Sequence, residues 1–388
     1  MLTHVREFVT RNRGCILIAG ANLLQRRLRL IVALAGTAVP IVLLMMQIAF
    51  LNGAREQVTR FYDFFDFDLI VVSSAYQFLV ESGNFPRVRL TQAAAADGVD
   101  ATYVINIANA GWTNTQTERN YPALLFGLDD NPSFVRNPQV RAGLAALGPG
   151  RSILVDAYST AGYGNVAAGS EGELNNFDVS IAGQFQLGSF FYSDGSAIVR
   201  NTDFPSYVPA DPLNVNFGLI RLSADADAGD VRNRIRANLA DDVRVLTRDE
   251  FIAAERAFFI TTKPIGIMMQ TSMWIAFLVG SIILLQVIST DVVNRMKEFA
   301  TMKAMGFSPE FVFGVGLTQA LLLAGGAFVV ATAVSAIILA IVEAATHLSG
   351  GSPVYILGLS AAIVLTMTIL AVVVVVRRIA NADPAELY

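Results

Sequence analysis

The chain has 388 residues, 54% of them hydrophobic and only 15% charged, with a mean hydropathy of +0.51. Its formal net charge of −4 leaves no basic footprint of the kind nucleic acid requires. Charge is also unevenly spread, since most acidic residues fall within 52–264 while four long apolar runs carry none.

Taken in chain order, residues 5–25 mix apolar positions such as Val5, Phe8, Ile16 and Leu23 with arginines. That pattern predicts an amphipathic helix lying on a membrane surface. Residues 30–51 form the first uncharged run, followed by 265–290, 311–342 and 352–376. Each exceeds the roughly 18–20 residues a helix needs to cross a bilayer core. The first run contains Pro40 and is followed by Asn52-Gly53 without a small-x-small cleavage site, so it reads as an uncleaved membrane helix.

The block 52–264 opens with a helical extension to residue 65, then a strand at 67–73 (FDLIVVS). Further strands are predicted at 101–110, 121–128, 152–155, 177–185, 197–200, 216–222 and 243–246. Helices are predicted at 91–96, 138–147 and 230–239, the last capped by Asp227 or Asp230. The Gly-rich stretch 161–172 reads as a loop. Residues 248–263 return toward the membrane as a helix, with Lys263 placed to snorkel to head groups. Strands and helices without strict alternation indicate an α+β domain of one or two lobes.

Lys/Arg counts in the short flanks set an orientation. Arg6, Arg11, Arg13, Arg26, Arg27 and Arg29 precede the first run; Arg295, Lys297 and Lys303 lie between the second and third; Arg377 and Arg378 follow the fourth. The link between the third and fourth runs has none. Both termini and the 291–310 link therefore face the cytoplasm. The expected architecture is an α-helical membrane protein with four transmembrane helices and an α+β periplasmic domain inserted between helices 1 and 2. The expected segments are a cytoplasmic amphipathic region (1–29), helix 1 (30–51), the periplasmic domain (52–264), helix 2 (265–290), a cytoplasmic coupling helix (291–310), helix 3 (311–342), a periplasmic loop (343–351), helix 4 (352–376) and a cytoplasmic tail (377–388).

The chemical inventory argues against an enzyme. Block 52–264 has no histidine or cysteine, and no lysine before Lys263, which removes His triads, Cys nucleophiles and His/Cys metal sites. The single cysteine, Cys15, cannot form a disulfide within the chain. Asp225, Asp227 and Asp230 superficially resemble a calcium loop, but Arg236 stands where the bidentate Glu is needed. The only lysines are Lys263, Lys297 and Lys303, and none follows glycine, so the chain has no Walker A loop. No catalytic residue, cofactor or metal is expected, and any ATP hydrolysis falls to another chain. Ala327, Ala331 and Ser335 recur every fourth residue, which suits either intrachain packing or a dimer seam.

The link 291–310 (DVVNRMKEFATMKAMGFSPE) places Met296, Phe299, Met302 and Met305 at helical spacing, with Gly306 at a C-cap position and Ser308-Pro309 opening the next helix. On residues alone it is a partner-docking helix or a solvated connector. Its run NRMKEFATMKAMGFS resembles the link between the second and third helices of MacB/FtsX-type ABC transporter permeases. LLQRRLRLIVALAGTAVPIVLLMMQIAFLNGA, FDLIVVSS and the terminal RRIANADPAELY are similar to the DevC branch. The resemblance covers both ends of the chain but not residues 100–215.

The resemblance implies a homodimeric, non-catalytic permease subunit in the bacterial inner membrane, among membrane lipids. It implies a separate DevA-like ATPase bound through Arg295, Lys297, Glu298, Lys303, Met305, Gly306 and Phe307. It further implies a periplasmic membrane-fusion protein, a TolC-like outer-membrane duct, and export of a glycolipid or other hydrophobic cargo. Two related roles share this topology: an FtsX-like regulator of a cell-wall hydrolase, and a lipoprotein-releasing permease.

Overall fold

The computed structural model describes residues 27–188, 193–294, 301, 305, 309–346 and 351–380. The amphipathic helix expected over 5–25 lies outside them. The chain divides into two compact units, one comprising Ala54–Gly266 and the other Met1–Gly53 with Ile267–Tyr388.

The 54–266 unit is built on eleven strands: β1 (Leu69–Ser73), β2 (Phe85–Pro86), β3 (Val99–Asn114), β4 (Arg119–Leu128), β5 (Ser152–Asp156), β6 (Glu171–Leu174), β7 (Phe177–Phe185), β8 (Ser196–Arg200), β9 (Asn214–Val215), β10 (Phe217–Leu222) and β11 (Val243–Thr247). Nine of them form one sheet in the order β11-β1-β10-β3-β4-β8-β5-β7-β6, and β2 pairs with β9 separately. The long β3 also pairs with β6, through Trp112↔Leu174 and Thr113↔Glu173. This extra pairing closes the circuit β3-β4-β8-β5-β7-β6 into a six-stranded ring. The β4–β8 and β5–β7 pairs are parallel and the rest of the ring is antiparallel.

Alternation of side chains along the strands sorts the apolar residues into three cores. From β1, Ile70 and Val72 join an aromatic core with Phe61, Tyr62, Phe64, Phe65, Phe126 and Phe217. Leu69 and Val71 point the other way, into a second core with Leu90, Val231 and Ile235. Burial on both faces explains why this strand reads as an unbroken apolar run rather than an alternating one. The third core fills the ring with Trp112, Leu125, Ile153, Val155, Leu174, Ile181 and Val199.

Two local features beside β6 were also not foreseen from sequence. The Gly-rich stretch 161–172 is not wholly loop: it contains a 3-10 turn at Ala161–Tyr163, and its end, Glu171-Gly172, begins β6. Asn175 and Asn176, at φ of 50° and 66°, make the two-residue turn that joins β6 to β7. Asparagine tolerates this left-handed backbone better than most side chains.

Helices α2 (Val88–Ala94), α3 (Pro138–Ala146), α4 (Ala228–Asn238) and α5 (Arg248–Thr262) cover the sheet. Asn137 caps α3 by accepting from Gln139 N–H and Val140 N–H, with Pro138 at the first helical position. Asp227, not Asp230, caps α4. Gly218 in β10 is where Leu90 of α2 comes down, and a Cβ there would meet Leu90 Cδ2 at 2.0 Å. Only glycine permits that approach.

The other unit consists of α1 (Arg27–Gln57), which crosses into the sheet domain at its end, and of α6 (Pro264–Asn294), α7 (Pro309–Thr346) and α8 (Pro353–Ala380). All four are long and apolar enough to span a bilayer: Leu30–Gln57, Pro264–Thr290, Gly314–Ala344 and Pro353–Val374. Helix α1 continues through Pro40. Its residues Ala38, Ile41, Leu44, Met45, Ile48 and Ala49 pack with Ala324, Ala327 and Ala331 of α7 and Ile356 and Val364 of α8.

Candidate functional site

Most of the coupling contact expected from sequence lies outside the described residues: Arg295, Lys297, Glu298, Lys303, Gly306 and Phe307 all fall there. Met305 is described and is 65% exposed, with its N–H donating to Thr301 O at 3.0 Å, the helical i−4 pattern. Of the expected packing positions, Ala327, Ala331 and Ser335 are all buried within a single chain. Ala327 and Ala331 face α1 and α8, and the Ser335 hydroxyl has no hydrogen-bond partner among the described residues.

The best-defined polar constellation of the sheet domain gathers around α5. Thr247 and Glu250 form a reciprocal capping box at its start. Glu250 is held below the usual carboxylate range, first by its hydrogen bond from Arg232 and then by that from Thr247 N–H. Farther along, Phe251, Glu255 and Phe259 stand at i, i+4 and i+8, so Glu255 lies on the apolar face and is buried.

The Tyr62 hydroxyl donates to Glu255 Oε1 at 3.2 Å, and the Tyr62 and Tyr76 hydroxyls lie 3.2 Å apart. Since Tyr62 has one proton, Tyr76 is the donor in that pair. Leu79 N–H also donates to the Glu255 carboxyl. Burial nevertheless outweighs these donors and pushes Glu255 up to about 8.

At the end of α5, Lys263 takes an extended backbone, as a residue preceding Pro264 is biased to do. Its ammonium pairs with Glu81 at 3.1 Å and sits 3.9 Å above the Phe78 ring, so within the chain the side chain expected to reach head groups is already engaged. Gly266 follows, where a Cβ would stand 2.1 Å from Phe259 O. This contact requires glycine at the bend between α5 and α6.

A second buried carboxylate, Asp156 at the end of β5, accepts from Tyr158 N–H (3.0 Å), Leu187 N–H (3.1 Å) and Gly188 N–H (2.7 Å). Burial raises its pKa against these donors and the charge of Arg60. A polar cleft of about 150 Å³ at one end of the ring is lined by residues including Asn114, Gln116, Asn165 and Glu171. The deepest amide, Asn114, is already committed: it donates to Gly162 O and accepts from Gln116 N–H and Thr117 N–H. Among the described residues there is no cluster of His, Cys, Asp and Glu able to hold a metal ion.

Sequence reading missed Glu255 and Asp156. For Glu255 the signal was present as an acidic residue in register with two phenylalanines on a helix. For Asp156 there was none, because two of its three donors, Leu187 N–H and Gly188 N–H, are backbone groups about thirty residues away.

Residues 271–384 match the family model of the FtsX-like permease C-terminal. That stretch runs from α6 through the 291–310 link and both later helices. None of the curated proteins compared with the chain matches it. Among solved structures, the periplasmic region of MacB from Actinobacillus actinomycetemcomitans aligns with a TM-score of 0.35 and 5% identity, covering 50% of this chain and 94% of that one. The extracellular domain of the ABC-type transporter YknZ from Gram-positive bacteria aligns with a TM-score of 0.29 and 12% identity, covering 46% and 98%. At these scores neither likeness bears on the fold.

Proposed function

We propose that the chain is the permease subunit of an ABC-type exporter of the MacB/FtsX kind, close to its DevC branch. The observation that carries this reading is the FtsX-like permease match over 271–384, which includes the charged link between two membrane-length helices. In this reading the 291–310 link faces the cytoplasm and receives a separate DevA-like ATPase. Arg295, Lys297, Glu298, Lys303, Met305, Gly306 and Phe307 provide the contact. The absence of a Walker A loop from the sequence supports a separate ATPase chain.

The permease acts as a homodimer in the inner membrane, with both termini inside and the sheet domain in the periplasm. Nucleotide-driven motion of the helices reaches the sheet domain, which works with a membrane-fusion protein and a TolC-like duct to export a glycolipid or other hydrophobic cargo. The apolar runs carry no Asp, Glu, Lys, Arg or His, which favours such mechanical transmission over an ion-coupled path through the helices.

The test is co-purification of the full chain with its ATPase from native membranes. Reversing Arg295→Glu together with Glu298→Arg is expected to abolish recruitment. Undiminished recruitment overturns the assigned contact. Cysteine labelling that places 295–305 and 100–220 on the same side of the membrane overturns the whole reading.

A further inference from the structure

The Glu255 carboxyl joins three separate stretches of chain. It belongs to α5, its hydroxyl donor Tyr62 comes from the 3-10 turn at Arg60–Phe64, and its N–H donor Leu79 comes from the loop after β1. The aromatic contacts follow the same three stretches. Tyr62 meets Phe251 edge-on at 4.7 Å, and Tyr76 lies 5.5 Å from Phe251.

The charged groups around this point are committed elsewhere. Arg256 donates to Thr59 Oγ1, Arg244 donates to Tyr76 O and lies over its ring, Arg248 pairs with Asp63, and Lys263 pairs with Glu81. Glu250 is engaged by Arg232 and its own helix cap. Among the described residues no lysine or arginine forms an ion pair with Glu255. A buried carboxylate without a cation is costly, so ionisation here requires water to reach it.

We propose that Glu255, Tyr62 and Tyr76 form a proton-controlled latch. With its proton, the carboxyl keeps α5 seated on the aromatic core. When the proton passes to solvent, the seat of α5 and of the 76–82 loop loosens as one unit. In the chain α5 is followed at once by α6, so the latch bears on the segment that leads from the sheet domain into a membrane-length helix. It is a property of the sheet domain and stands whether or not the chain serves an ATPase.

The sign follows from linkage. Glu255 holds its proton to about pH 8 when seated and to its ordinary value of 4.5 when released. Opening is therefore increasingly favoured from pH 4.5 to 8, by about tenfold per unit at most, and levels off above that.

Hydrogen exchange of the full chain in nanodiscs between pH 5.5 and 9, corrected for intrinsic rates, tests this. In the wild type, protection of 251–262 and 76–82 is expected to fall together by up to about tenfold per pH unit and to level off above pH 8, with β3 residues 102–107 unchanged. Glu255→Gln is expected to stay protected across the whole range. Tyr62→Phe removes a donor that favours the ionised form and is expected to move the plateau to higher pH. The same slope in Glu255→Gln overturns the latch, as does an equal loss of protection in β3 or a flat profile in the wild type.

Discussion

In the sheet domain Phe61, Phe65, Phe126, Phe134 and Phe185 are completely buried, and rings meet rings throughout the first core. In the helical unit Leu278, Ile337 and Ile341 are each more than half exposed, and only 17% of the most apolar window of α6 or α7 is buried inside the chain. Each side follows from the surrounding solvent. Water drives the aromatic side chains of the sheet domain together and demands a partner for almost every polar group. Lipid makes no such demand on leucine, so the helices are free to bury little and to associate through small residues instead. The domain is thus held by volume and the helices by close approach, and substitutions should expose the difference.

The largest effect is expected from Phe61→Ala. Its ring stacks on Phe126 at 4.0 Å and meets Phe65 at 5.0 Å, and its side chain is fully buried. Loss of about 3–5 kcal/mol is expected in urea unfolding of the full chain in micelles, read by near-UV circular dichroism. A loss below 1 kcal/mol would mean that the aromatic core is not what holds the domain.

The converse substitution probes the helices. Ala331→Leu adds bulk where α7 meets α1 and α8, and should cost about 1–3 kcal/mol by overpacking, seen as a lowered melting temperature in detergent. Because Ala331 is buried within one chain, the loss should appear without a change of oligomeric mass. A shift of mass without destabilisation would move this stripe to a dimer seam instead.

The same contrast governs how much could be read in advance. Membrane helices are legible because length and charge alone define them, and strands such as 177–185 are legible because apolar residues bound by turn signals define them. The closure of the ring was not. It depends on β6, whose four residues Glu171–Leu174 include two glutamates and a glycine and give no apolar signal. The turn Asn175-Asn176 did carry a signal, for a hairpin, but not for pairing between β6 and a strand some sixty residues earlier. Likewise, α5 was legible as a helix over 248–263, with Phe251, Glu255 and Phe259 on one face. That its one acidic member is buried depends on Tyr62 and Leu79, whose position beside it is a product of the fold. The 291–310 link reads from its stripe of methionines and phenylalanine, and Arg295, Lys297, Glu298 and Lys303 lie outside the described residues.

The smallest expected effect lies at the start of α5, where the sheet domain relies on polar geometry rather than volume. Glu250 N–H donates to Thr247 Oγ1 at 3.3 Å, and Thr247 N–H donates to Glu250 Oε2 at 3.0 Å. Thr247→Ala removes one acceptor from the helix end and should cost about 1 kcal/mol, in the same urea assay at pH 7. The Glu250 half has a pH signature that the Thr247 half lacks. Glu250 is more acidic folded than unfolded, because Arg232 and the Thr247 N–H hydrogen-bond its charged form. Its contribution is therefore full above the unfolded value of 4.5 and is lost as pH falls through the lower folded value. Glu250→Gln should accordingly destabilise at pH 7 and match the wild type in strong acid, whereas the Thr247→Ala deficit should survive at both. Glu255→Gln should run the opposite way, gaining on the wild type as pH rises from 4.5 to 8, so two acidic residues five positions apart on one helix separate by the sign of their pH dependence alone.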